Sequence, residues 1–189
     1  MREDIIQALK SEMKKRCESP NNFFGEGIYY HIEAVVKNSA FLAEKYGGDI
    51  EIVTIAAWLH DIASIIDYKY YEEHHIYGAQ MAGEILADFH YPAERTELVK
   101  QCIRNHRGSV ISERHTVEEI CVADGDAISH FDSIPSLFYL AYVKRGYTIQ
   151  EGISFVADKC KRSYQKLSEE SRKLYSEKFD SVMNTIYGR

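Results

Sequence analysis

Apolar residues in this chain recur at intervals of three and four almost from end to end, and only three prolines interrupt its 189 residues. That is the interval at which an α-helix turns one stripe toward a core. So few breakers leave long stretches free to remain helical. No run alternates apolar and polar residues between hairpin turns, and no internal repeat is present. The expected fold class is all-α, a single-domain helical bundle over residues 1–189.

Punctuation places the elements. Ile5, Ile6, Leu9 and Met13 form the stripe of a first helix that stops before Pro20. Asn21 to Gly27 reads as a loop, and a second helix runs from Ile28 to Tyr46, ended by Gly47-Gly48. Asp49 caps a third, with Ile52, Ile55, Ala56, Leu59 and Ala63 inward. Asp67 to Glu73 reads as a loop whose tyrosines, from Tyr68 to Tyr77, offer faces on which a base can stack. A fourth helix spans His75 to His90. Pro92 opens a fifth that ends near His106, before Gly108, and a Thr116/Glu119 capping box opens the sixth. Pro135 breaks the pattern, and two more helices are expected beyond it, the last over Glu169 to Ile186.

Charge narrows the partners. A net charge of −6 argues against a large nucleic-acid interface, which needs clustered Lys and Arg. It leaves room for a small phosphorylated substrate, because a metal site supplies positive charge locally. Cys17, Cys102, Cys121 and Cys160 are scattered, with no CxxC pair, and read as inert buried thiols. The first sixteen residues mix charges among their apolar positions, so neither a signal peptide nor a membrane anchor is expected, and a cytoplasmic location is. A homo-oligomer is compatible with this composition.

The chemistry concentrates on a few histidines and aspartates. His60 lies beside the apolar face of the third helix, and Asp61 follows it, about 100° around the axis. Neighbours so placed can converge on one ion, since metal–ligand bonds are only about 2 Å long. Two antiparallel helices joined at Gly47-Gly48 would bring His31, at the start of one, beside His60, at the end of the next. A lone helical His usually has an ordinary role, but an Asp among apolar neighbours needs a partner to offset its burial.

Three segments carry a resemblance: Tyr30-His31-Ile32, Ala57-Trp58-Leu59-His60-Asp61-Ile62 and Ala123-Asp124-Gly125-Asp126-Ala127-Ile128. In order and spacing, over about residues 28–131, they resemble the HD superfamily of metal-dependent phosphohydrolases. The resemblance implies an HD-type bundle, with residues 132–189 adding C-terminal helices. It implies that His31, His60, Asp61 and Asp126 ligate a divalent transition metal, with Asp61 catalytic. Family members place an aliphatic residue two positions after the distal ligand. Asp126 meets that condition through Ile128, so Asp124 is assigned to supporting the ligands or facing substrate. Members that bind two ions carry further histidines. His75, in its His-x-x-Gly-Ala context, and His106 are matched to these, either as ligands to a second ion with Asp61 bridging or as contacts to substrate phosphate. His90, His115 and His130 have no matching context and read as ordinary.

Imidazole and carboxylate ligands without thiolate suit Mn, Fe, Co, Ni or Zn, as one or two ions. The expected reaction is cleavage of a phosphate ester or anhydride by metal-activated water, the substrate being a nucleotide or related small phosphate compound. Arg104 and Arg107 flank His106 and can clamp a phosphate or complement the helix dipole. Asp67, Glu72 and Glu73 read as a solvated face rather than as proton donors. Di-iron oxygenase-type or other metal chemistry on the same scaffold, and a non-catalytic interaction module, remain the alternatives. An intact buried ligand set counts against the module. A Gly-Tyr-Pro segment, the mark of one cyclic-dinucleotide phosphodiesterase branch, is absent, which disfavours that substrate.

Overall fold

Why the end of one helix should meet the start of another is visible at the turn between the second and third. The structure is a computed structural model that describes residues 1–107 and 113–188. Gly108, expected as the stop of the fifth helix, lies outside the described residues. Helix α1 is Glu3–Cys17, α2 is Gly27–Tyr46 and α3 is Ile50–Leu59. Helix α2 ends at Gly47, whose φ of 79° suits glycine, and the Gly47 and Gly48 N–H groups both return to the Ala43 carbonyl at 2.9 Å. Asp49 then caps α3, its carboxylate accepting from the Glu51 and Ile52 N–H groups. The two helices therefore run antiparallel.

Helix α3 is apolar all round, and every residue from Ile52 to Leu59 is buried, so it forms the centre of the molecule. Helices α1, α2, α6 (Ala93–Asn105) and α7 (Val117–Asp132) pack about it. Its apolar stripe was expected to continue to Ala63, but the helix stops at Leu59. His60 and Asp61 form a turn, and α4 (Ile62–Ile66) resumes beyond, with the Ser64 hydroxyl and the Ile65 N–H both donating to the Asp61 carbonyl. Asp67 to Glu73, expected to be a loop, is a 3-10 turn over Tyr68–Glu73 opened by Asp67, whose carboxylate accepts from the Lys69 N–H. Helix α5 is His74–Asp88, starting one residue before the expected position.

Thr116 caps α7, accepting from the Glu119 N–H at 3.2 Å, but the reciprocal half of the expected box goes elsewhere: Glu119 accepts from the His115 N–H. Past α7 the chain makes more than two helices. Helix α8 (Ile134–Tyr139) has Pro135 in its first turn, where a missing N–H costs nothing, and a π turn over Leu140–Lys144 follows. Then come α9 (Ile149–Gln165), opened by a complete Thr148/Glu151 capping box, and α10 (Glu169–Tyr187). The described residues contain no strand, and one contiguous apolar core reaches from α1 to α10. The four cysteines are free and buried. No helix among the described residues is long and apolar enough to cross a membrane.

Helix α7 approaches α2 most closely at Gly125. A Cβ there would overlap the Ser39 hydroxyl and lie 2.9 Å from the Ser39 backbone nitrogen. Glycine at 125 thus lets α7 sit near enough to bring its side chains to those of α2. Gly125→Ala is expected to lower stability by roughly 1–3 kcal/mol in denaturant titrations, the usual cost of overpacking a tight contact. An unchanged midpoint would contradict this close approach.

Candidate metal centre

Four helix ends and one helix middle deliver the expected residues to one place. His31 comes from the first turns of α2, His60 from the residue that ends α3, Asp61 from the turn beyond it, His106 from the residue that ends α6, and Asp126 from inside α7. His60, His106 and His31 are 0%, 3% and 6% exposed. The His31 and His60 ring centroids stand 5.5 Å apart, as the antiparallel α2–α3 hairpin requires.

The imidazoles are held in one tautomer. The Nδ1 of His60 lies 2.8 Å from the Ala57 carbonyl and that of His106 lies 2.6 Å from the Ile103 carbonyl. A carbonyl only accepts, so each Nδ1 carries the hydrogen. His31 reaches the same state indirectly. Its Nδ1 is 2.8 Å from the Ser129 hydroxyl, whose own hydrogen is given to the Asp126 carbonyl at 2.6 Å. In a neutral ring each Nε2 then has a free lone pair, and all three rings lie in groups with Asp61. His31 Nε2 lies 3.4 Å from Asp126 Oδ1 and 3.7 Å from Asp61 Oδ2, and His60 Nε2 lies 3.4 Å from Asp61 Oδ2.

The histidine expected in the cluster from α5 is His75, but the one that the structure brings beside Asp61 and His106 is His74. His74 Nδ1 lies 2.6 Å from the Tyr71 carbonyl, and its Nε2 lies 3.4 Å from Asp61 Oδ1 and 3.2 Å from His106 Nε2. The cause is helix phase. His74 shares a face with Gly78, one turn on, and a Cβ on Gly78 would sit 3.4 Å from the His60 carbonyl and from Ile103. That contact fixes which side of α5 meets the ends of α3 and α6. His75 points about 100° away. It is buried beside His74, and among the described residues its Nδ1 has no hydrogen-bond partner and it joins no group able to hold an ion.

His130, read as ordinary, lies with His31 and Asp126 in a further metal-capable group, one helical turn after Asp126, with Nδ1 3.9 Å from Asp126 Oδ1. The i, i+4 spacing on α7 was the available signal. Asp124 faces the other way. It accepts from the Ser168 N–H at 3.1 Å and from the Ser168 hydroxyl, which ties α7 to the start of α10. Arg104 pairs with Glu97 at 2.7 Å and Arg107 with Glu72 at 3.1 Å. Neither is among the residues that line the cavity beside Asp61.

Charge in the cluster is balanced by a proton. Burial alone would lower the pKa of His60, yet Asp61 and then Asp126 more than reverse it and hold it near 9. Burial takes His31 to about 4 and His106 to about 3. Asp61 and Asp126 remain ionised because the histidines outweigh their burial. Cys17, near Asp61, is pushed up to about 12, first by burial and then by that carboxylate, and it joins none of the metal-capable groups among the described residues. His74 Nε2 and His106 Nε2 are two lone pairs facing each other at 3.2 Å, and the buried His60 Nε2 has no hydrogen-bond partner. Lone pairs converging on carboxylates fit a cation between them better than they fit each other. The donor set therefore fits divalent metal. Asp61 offers Oδ2 to His31 and His60 and Oδ1 to His74, so it stands between two metal-capable groups, His31–His60–Asp61 and Asp61–His74–His106.

A cavity of about 570 Å³ opens beside these groups. Its lining includes His31, Asp61 and His130 of the cluster, the aromatic and apolar Phe24, Tyr71 and Leu140, and the cations Arg145, Lys159, Arg162 and Lys166. The family model for the HD domain matches residues 28–163, which take in every histidine and aspartate of the cluster. The chain belongs to the HD domain family. Its sequence is 29% identical over 106 residues to ribonuclease Y of Rubrobacter xylanophilus, a match covering 56% of this chain and 19% of that protein. This HD domain thus spans about a fifth of that relative's length. Its fold is shared with Bacillus subtilis YpgQ at a TM-score of 0.72 and 16% identity, covering 98% of this chain and 93% of that one. YpgQ solved in complex with ADP matches at 0.65 and 17%, over 95% and 94%. A predicted HD superfamily hydrolase from an uncultured Thermotogales bacterium matches at 0.63 and 18%, over 98% and 89%.

Because His60 holds its proton to about pH 9, a metal entering at pH 7 must displace it. Calorimetric titration of chelator-treated protein with Mn or Zn, in buffers of different ionisation heat, is expected to show release of about one proton at pH 7 and almost none at pH 10. The same proton stabilises the metal-free fold below pH 6.5, and its contribution fades as pH rises through about 9. Heats independent of buffer at pH 7 would contradict the assignment.

Proposed function

We propose that this HD domain is a phosphohydrolase that cleaves a phosphate ester or anhydride bond of a nucleotide or related small phosphate compound, with a pair of divalent ions held on either side of Asp61. The observation that carries the reading is the placement of the two Asp61 oxygens toward two separate sets of imidazole Nε2 atoms. His31 and His60 would hold one ion and His74 and His106 the other, with Asp126 beside the first and His130 next to it. When bound, such ions make water acidic enough to attack phosphorus near neutral pH and neutralise charge on phosphoryl oxygens.

The protein's own groups supply position. Each Nδ1 hydrogen bond fixes a ring so that the donor geometry exists before a ligand arrives. The aromatic part of the cavity lining, Phe24 and Tyr71, limits water around the reacting group, and the cations of the lining offer charge-assisted hydrogen bonds to phosphate. The cavity volume suits a small molecule, and YpgQ, which shares the fold, has been crystallised with ADP. A di-iron oxidation would use the same imidazoles and carboxylates. The cations lining the cavity, which pair with no carboxylate among the described residues, favour an anionic substrate and hence hydrolysis.

Purified protein screened against nucleotides, simple phosphate esters and a short RNA, with Mn, Fe, Co, Ni or Zn supplied in turn, is expected to release phosphate from the small compounds. Asp61→Ala is expected to retain less than about a hundredth of that activity, since losing a shared ligand costs several kcal/mol of transition-state stabilisation. His74→Ala and His106→Ala are expected to lower the metal-to-protein ratio from about two toward one, and His75→Ala to leave it unchanged. A ratio lowered by His75→Ala and not by His74→Ala would overturn the ligand assignment.

A further inference from the structure

Lys159, Arg162 and Lys166 follow one another at intervals of three and four, so they share one face at the end of α9, and all three line the cavity. Arg145, just after the π turn, adds a fourth cation to the same lining. None of the four pairs with a carboxylate among the described residues. Arg145 instead stacks over the Phe155 ring and donates to the Tyr147 hydroxyl. Elsewhere cations find acids readily: Arg95, Lys100, Arg104, Lys161 and Lys178 each pair with an Asp or Glu. In a chain with 29 acidic and 23 basic residues, four unpaired cations around one cavity are not a surplus. They are also set against each other. The Lys166 ammonium is held below its usual value by burial and then by Lys159. Such mutual repulsion is relieved when an anion enters.

Lys159 and Lys166 also line a narrow crevice with His106, Asp126 and His130, so the basic side of the cavity adjoins the ligand cluster. Two divalent ions held by Asp61 and Asp126 carry about the charge needed to balance one phosphoryl group. The four cations of α9 and the π turn then have charge for more phosphate than a monoester brings. We propose that this cavity selects compounds with a chain of two or more phosphoryl groups, Lys159, Arg162, Lys166 and Arg145 holding those that lie away from the histidine–aspartate cluster. The preferred substrates are accordingly nucleoside di- or triphosphates or similar compounds rather than monophosphates, with the organic part against Phe24, Tyr71 and Leu140. This rests on the phosphohydrolase reading for the bond that is cleaved, but not for what is bound.

Binding separates the two. Calorimetry on the full chain with its metal as isolated would compare AMP with analogues whose anhydride oxygens are replaced by methylene, α,β-methylene-ADP and α,β:β,γ-bismethylene-ATP. The analogues are expected to bind at least about tenfold tighter than AMP. The double variant Lys159→Gln/Arg162→Gln is expected to lose about tenfold for the analogues and less than about threefold for AMP, with its melting temperature unchanged. Arg104→Gln, outside the cavity, keeps the preference. Equal affinities for AMP and the analogues, a preference that survives the double variant, or tighter binding of a single-stranded oligonucleotide than of any mononucleotide would overturn the proposal. Analogue binding as expected in a protein that hydrolyses nothing would support it while removing the hydrolytic reading. Hydrolysis of nucleoside di- and triphosphates with the same KM in wild type and double variant would do the reverse.

Discussion

Two carboxylates, Asp61 and Asp126, are kept ionised in a place where burial opposes their charge, and much of the fold serves to make that tolerable. An isolated buried carboxylate costs several kcal/mol or takes up a proton. Here the cost is offset by imidazoles brought from separate elements, and His60 holds a proton near the carboxylates in place of a larger cation. The same arrangement that stabilises the metal-free state therefore has the shape of a metal site. The difference between the two states is an exchange of charge among groups already in position.

Rigid positions for those groups come from helix ends. His60, His74 and His106 each place Nδ1 on the carbonyl three residues earlier, a contact available where a helix starts or stops and the side chain can fold back. Helix α3 stops at Leu59 inside the core, which turns His60 and Asp61 toward the start of α2. Gly125 lets α7 approach Ser39, and Gly78 lets α5 approach the His60 carbonyl. Small residues at two crossings thus fix distances at the cluster between them. The elements after Pro135 add to the cavity lining: Leu137 and Leu140 bring apolar surface, and α9 brings cations while burying Val156, Ala157 and Cys160 in the core.

Helix period, the Gly47-Gly48 stop and the Asp49 cap were legible in the residues because each is a local rule obeyed locally. The His60-Asp61 doublet stood out because a charge beside apolar neighbours demands a partner. What was not legible depends on phase and distance. Whether His74 or His75 faces inward differs by one step of rotation, and the 3-10 turn before α5 sets that step. His130 joins Asp126 only when His31 is brought across from α2. Arg104 and Arg107 looked suited to phosphate by sequence proximity to His106, but Glu97 and Glu72 reach them first. Asp124, two positions from Asp126, lies across the helix and serves Ser168 instead. The basic residues of α9 carried a readable spacing of three and four, yet nothing local ties that stripe to a site formed more than 30 residues earlier in the chain.

Anomalous diffraction from metal-loaded crystals, recorded on either side of the Mn or Zn absorption edge, tests the cluster most directly. Two peaks are expected, one within ligand distance of His31 and His60 and one within ligand distance of His74 and His106, with the Asp61 carboxylate between them. A single peak bound to His75, or full occupancy elsewhere with Asp61 uncoordinated, would contradict the assignment of this site.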